Sequence, residues 1–154
     1  MELSALLRDL IERELPNLKA LPEERAAVPR GAGKWSPKEE LGHLIDSAAN
    51  NHLRFAGAAL ADQYSGPSYA QEEWVRIHGY REMPWDEIVS FWCQYNRLLV
   101  RLIAAIPAAH LNTPCTIASR APVTLAWLIE DYVVHAQHHI DLLLLRRNVT
   151  PYPR

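Results

Sequence analysis

In Trp35-Ser36-Pro37-Lys38-Glu39-Glu40-Leu41-Gly42-His43-Leu44-Ile45-Asp46 a serine stands directly before a proline, with a glutamate closing the first turn. This is a capping box with proline at the first helical position. The serine oxygen can accept the backbone N–H of Glu39, the Glu39 carboxylate can accept that of Ser36, and Pro37 forfeits nothing where first-turn N–H groups have no intrahelical acceptor. A helix starts here. Leu41, Leu44, Ile45, Ala48, Ala49 and Leu53 then recur at three- and four-residue spacing to about Ala61, giving one apolar face for a core. His43 lies off that stripe, on a polar track with Glu39, Glu40, Ser47 and Asn50. A histidine on such a boundary serves either as a ligand lining a pocket or as a plain solvent-facing residue.

Upstream, Leu3, Leu6, Leu7, Leu10 and Ile11 carry the same periodicity, and Pro16 is expected to end that first helix. Leu21 to Trp35, with its prolines and Gly31-Ala32-Gly33, is a connection. Downstream, Asp62 to Met83 holds a short helical stretch around Ala70 to Ile77 and reads as a crossover or lid. A third helix opens near Pro84 with Asp86 and Glu87 in its first turn and carries Ile88, Trp92, Tyr95, Leu99, Leu102 and Ile106 on one stripe until Pro107. After an irregular stretch from Ala108 to Val123, Thr124 caps a fourth helix that is expected to reach Arg146 and Arg147. No segment alternates with period two for long enough to suggest a sheet. The expectation is all-α: a four-helix bundle forming a single domain over residues 1–154. Leu142 to Leu145 is apolar nearly all round the fourth helix, which fits packing on a second subunit or deep burial within one chain.

That fourth helix contains Asp131-Tyr132-Val133-Val134-His135-Ala136-Gln137-His138-His139. His135 and His139, one turn apart, present two imidazoles on one face, and His43 is the candidate third. Three imidazoles from two helices suit a divalent metal with an open position. His138 lies about 100° round the helix from His139 and can face solvent, face a subunit interface, or replace a neighbour as ligand. Asp131 can accept a hydrogen bond from His135, serve as a fourth ligand, or face water. His52, His78 and His110 have no comparable spacing and read as surface or loop residues.

With 49% hydrophobic and 22% charged residues and a net charge of −2, the chain has no basic footprint, so nucleic acid is not an expected partner. The longest apolar run is far shorter than a bilayer span, and the N-terminus has an acid where a signal peptide needs basic residues. No membrane association and a cytoplasmic location follow as expectations. Cys93, among aromatics, reads as a buried thiol, and Cys115 sits in a loop with nothing nearby to activate it.

Taken together, Trp35-Ser36-Pro37-Lys38-Glu39, Leu41-Gly42-His43-Leu44-Ile45-Asp46, Trp74, Gly79-Tyr80, Pro84-Trp85, Val123-Thr124-Leu125 and the spacing of His135, His138 and His139 resemble the DinB/YfiT-like superfamily in content and order. The resemblance covers nearly the whole chain. It implies a bundle of up-down-down-up connectivity, a divalent metal held by His43, His135 and His139, and a homodimer. It also implies that His138 is not a ligand. Members of that superfamily include S-transferases and isomerases that use a low-molecular-weight thiol, and metal-dependent hydrolases.

The expected function is therefore that of a metal-dependent enzyme in which zinc or nickel activates a thiol or water for attack on a small-molecule electrophile. A zinc-peptidase mechanism is excluded by Ala136, which stands where a His-Glu-x-x-His motif has its general base. Trp74 and Tyr80 are candidates for the pocket wall or the core, and Arg54, Arg97 and Arg101 for holding a carboxylate of the thiol. The competing expectation is a non-catalytic bundle, metal-stabilised or metal-free, that acts as a binding or structural protein. A closed fourth position filled by Asp131 would mark it.

Overall fold

The structure is a computed structural model and describes residues 2–153. Four long helices form the bundle: α1 (Leu3–Ala20), α3 (Pro37–Ala59), α5 (Trp85–Ala105) and α6 (Leu125–Leu143), with short α2 (Glu23–Ala26) and α4 (Gln71–His78) in the connections. The capping box forms as read: Ser36 Oγ accepts from Glu39 N at 3.3 Å and Glu39 Oε2 from Ser36 N at 2.9 Å. Thr124 Oγ1 likewise accepts from Trp127 N at 3.1 Å and starts α6.

Side-chain bonds fix the helix directions. The indole of Trp85, at the start of α5, donates to Leu18 O near the end of α1 at 2.9 Å, so these two run oppositely. Glu23 bonds both Lys38 and the backbone N–H of Trp85, which ties the starts of α3 and α5 together and makes them parallel. Glu14 meets Gln137 and Arg146, so α1 and α6 also run the same way. Since α1 and α3 each pack chiefly on α5 and α6, the connectivity is up, down, down, up. Parallel neighbours need a return along the bundle, and residues 60–84, containing α4, supply it.

The core is a continuous cluster in which Leu7, Leu44, Phe55, Ile88, Trp92, Leu99, Ile129 and Ile140 are completely or almost completely buried. Among the described residues no helix is long and apolar enough to cross a membrane.

Three expectations need correction. Helix α1 does not stop at Pro16 but runs to Ala20, because buried Leu18 and its bond from the Trp85 indole hold the turn beyond the proline. Helix α6 stops at Leu143, since Leu145 adopts a left-handed backbone (φ 54°) that turns the chain and carries Arg146 back toward Glu14. A small sheet is present: β1 (Tyr64–Gly66) pairs in parallel with β2 (Pro114–Ile117), which pairs antiparallel with β3 (Val123–Thr124). Strands this short show no readable alternation.

Candidate metal centre

Helices α3 and α6 run antiparallel, which brings the first turns of one beside the last turns of the other. His43 therefore meets His135 and His139, with ring centroids 5.0 and 4.6 Å away, and His135 lies 4.5 Å from His139. One ligand atom from each lies within 4.8 Å of the others, and among the described residues no further Asp, Glu, Cys or His joins the group. His43 is not solvent-facing: it is fully buried, as are Glu40 and Ser47 on the same track, because α6 covers that side of α3.

The rings are oriented. His139 Nδ1–H donates to Glu40 Oε1 at 2.5 Å, and His135 Nδ1 meets Ser47 Oγ at 3.5 Å. The Nε2 atoms of His43 and His135 face each other at 3.1 Å. Two ligands of a tetrahedral zinc with bonds of about 2.0–2.1 Å have nitrogens roughly 3.3 Å apart. Burial, reinforced by repulsion from His139, holds His43 at about 3; burial and the neighbouring histidines hold His135 at about 2. Both are neutral near pH 7, with lone pairs to offer. Glu40 Oε2 and His43 Nδ1 are buried without a hydrogen-bond partner. Arg30 Nη2 offsets the carboxylate charge only from 3.8 Å, and three imidazoles that turn ring nitrogens toward one point are a donor set that fits a divalent ion.

Trp35 covers one side of the group, 5.0 Å from His43. On the other side Tyr152 packs on His135 at 4.9 Å, brought there by the chain turning back after α6. A cavity of about 180 Å³ runs from His135 along α3 and α6 toward the sheet, with Arg54, Tyr69, Arg120, Asp131 and Tyr152 on its walls. Asp131 accepts from the Tyr152 hydroxyl at 3.4 Å.

The remaining candidates lie elsewhere. His138 Nδ1–H donates to Thr150 O at 2.7 Å, outside the three-ring group. His78 and the Tyr80 hydroxyl converge on Asp46 Oδ1 at 2.8 and 2.7 Å, with Trp74 edge-to-face against His78. His52 packs on Tyr95 and His110 sits near Ala61 O. Arg97 and Arg101 are exposed on α5. Cys115 is buried on β2 rather than in a loop, and burial pushes its thiol up.

Sequence reasoning missed the part played by Glu40, although its position one turn before His43 was a usable signal. Tyr152 gave none, since no helical period includes it.

A protein of Bacillus mycoides (strain KBAB4) named "putative metal-dependent hydrolase" is 24% identical over 131 residues, covering 82% of this chain and 75% of that protein. One of the same description from Bacillus cereus (strain B4264) is 23% identical over the same length. The structure of YfiT from Bacillus subtilis, described as a probable metal-dependent hydrolase with an unusual four-helix bundle topology, superposes with a TM-score of 0.81 at 16% identity. It covers 92% of this chain and 81% of that one, and shares its fold. The family model of the DinB superfamily matches residues 6–143, the span from α1 to the last turn of α6 that holds all three clustered histidines, and the chain belongs to that superfamily.

Proposed function

We propose that this protein is a metal-dependent enzyme in which His43, His135 and His139 hold a divalent ion, zinc or nickel, and a small electrophile is attacked by water or a low-molecular-weight thiol. The observation that carries the reading is the convergence of three imidazoles on one point beside a cavity. A divalent ion held by neutral ligands keeps its full charge and acidifies water or a thiol in its open position. The hydrolase names of the Bacillus relatives favour water; the wider superfamily resemblance favours a thiol.

The chain's own residues do the rest. Glu40 keeps the His139 proton on Nδ1 and turns its Nε2 inward. Trp35 and Tyr152 exclude solvent from either side. His135 alone of the three lines the cavity, so a substrate there approaches past its ring. A closed structural site would need a fourth protein ligand, and Asp131 stands outside the group, directed at Tyr152. The same reading has the protein working in the cytoplasm as a homodimer.

The test is elemental analysis of untagged protein purified near neutral pH, beside a variant with all three histidines changed to Ala. About one divalent ion per chain, lost in the variant, is the expected result. Wild-type protein that takes up no metal from zinc or nickel solutions overturns the reading. Turnover of ester and epoxide panels with and without added thiols separates the two nucleophiles.

A further inference from the structure

The cavity beside His135 holds a charge imbalance at its far end. Arg54 of α3 and Arg120, on the turn between β2 and β3, both line it. Among the described residues neither forms an ion pair with a carboxylate. Arg54 is half-buried, with one hydrogen bond, from Nη2 to Pro67 O at 3.1 Å. Burial pushes its guanidinium below the ordinary value, and the charge of Arg120 acts in the same direction. A half-buried guanidinium and an exposed one that line the same cavity can both grip an anion in their planar forks.

The other walls narrow the choice. Tyr69, Trp127 and Tyr132 also line the cavity, which suits an apolar or aromatic body. Among the described residues Asp131 is the one carboxylate on the lining. Two positive groups against one negative leave a single charge to neutralise, which a carboxylate matches and a phosphate dianion exceeds. Ser47, which meets His135, and Arg54 are two helical turns apart on α3, about 10 Å along its axis. The anionic group and the reacting atom are accordingly separated by several bonds.

We infer that Arg54 and Arg120 form an anion-binding end of the cavity, and that the substrate is a small molecule with a carboxylate at one end and its reacting atom beside His135. The position of the reacting atom rests on the metal reading above; the anion site does not.

The experiment is calorimetric titration of 3-phenylpropionate, its amide and phenyl phosphate into the full chain after chelator treatment, at low salt. The carboxylate is expected to bind at least roughly tenfold more tightly than the amide, and Arg54→Met and Arg120→Met are each expected to lose about tenfold. Arg120 is exposed, so its variant tests the site without a risk to folding. Equal binding of acid and amide, wild-type affinity in both variants, or no binding at millimolar concentrations overturns the anion site. Tighter binding of the phosphate overturns the carboxylate assignment. With the ion removed, failure here counts against the arginines alone, whereas failure to take up metal counts against the three histidines.

Discussion

Glu40 Oε1 lies 2.5 Å from His139 Nδ1, joining the first turns of α3 to the last turns of α6 through one charge-assisted hydrogen bond. Glu40 is 1% exposed and the His139 side chain 15%, so the bond is largely shielded from water on the carboxylate side. The carboxylate fixes the tautomer and makes Nε2 a stronger donor. Glu40→Gln keeps the shape but removes the charge, and metal affinity is expected to fall by about tenfold to a hundredfold. Competition against a chromophoric chelator measures it. Unchanged affinity would show that the pair only fastens two helices.

The segment after α6 is a second determinant of the site. Asp141 Oδ2 accepts from Thr150 N at 2.9 Å and from Thr150 Oγ1 at 2.7 Å, and His138 holds Thr150 O. Those bonds lay Tyr152 over His135. Tyr152→Ala should release bound metal to excess chelator severalfold faster, with little change in unfolding midpoint. Asp141→Asn loosens the anchor itself, so the same acceleration should come with a stability loss of about 1–3 kcal/mol. Release at the wild-type rate in both variants would mean that the ring is no barrier.

How much of this could be read beforehand follows from the range of the interactions. The caps at Ser36 and Thr124 are local, decided within a single turn, and both formed. The convergence of the three histidines was readable because helical spacing paired His135 with His139, while His43 was the candidate third from its place on amphipathic α3 and again from the resemblance. Burial of His43 was not readable, since it depends on how α6 crosses α3, which the periodicity of α3 alone does not specify. Leu53 shows the converse: it continues the apolar period yet is 70% exposed, because it lies round the helix from the face that carries buried Asn51, Phe55 and Ala58. The sheet and Tyr152 depend on pairings between residues far apart in the chain.

Gly42 permits one of those long-range contacts. A Cβ at this position would lie 2.2 Å from Cδ2 of Tyr80, whose ring is buried and whose hydroxyl serves Asp46. The ring would have to move, breaking that hydrogen bond. Gly42→Ala is therefore expected to destabilise the protein by about 1–3 kcal/mol despite the better helix propensity of alanine, as read by urea denaturation. A neutral or stabilising result would show that the Tyr80 region yields without cost.

Acid should unfold the metal-free protein in two stages. His43 and His135 have folded values of about 3 and about 2 against 6.5 ordinarily, so below 6.5 the unfolded chain takes up protons that the folded chain refuses. Their contribution is complete above pH 6.5 and is lost as pH falls toward the folded values. Glu14 follows at lower pH. Burial raises it, but hydrogen bonds from Arg146, Gln137 and Asn17 outweigh that and hold it at about 2 against 4.5. Its contribution, up to roughly 3 kcal/mol, is present above pH 4.5 and disappears below it. The urea midpoint of chelator-treated protein should thus begin to fall near pH 6.5 and steepen below 4.5. His43→Gln with His135→Gln should flatten the upper part alone, and Arg146→Met the lower part alone. A wild-type profile level between pH 6.5 and 4.5 would mean that the two imidazoles accept protons in the folded state, and that the cluster is more open to water than its burial indicates.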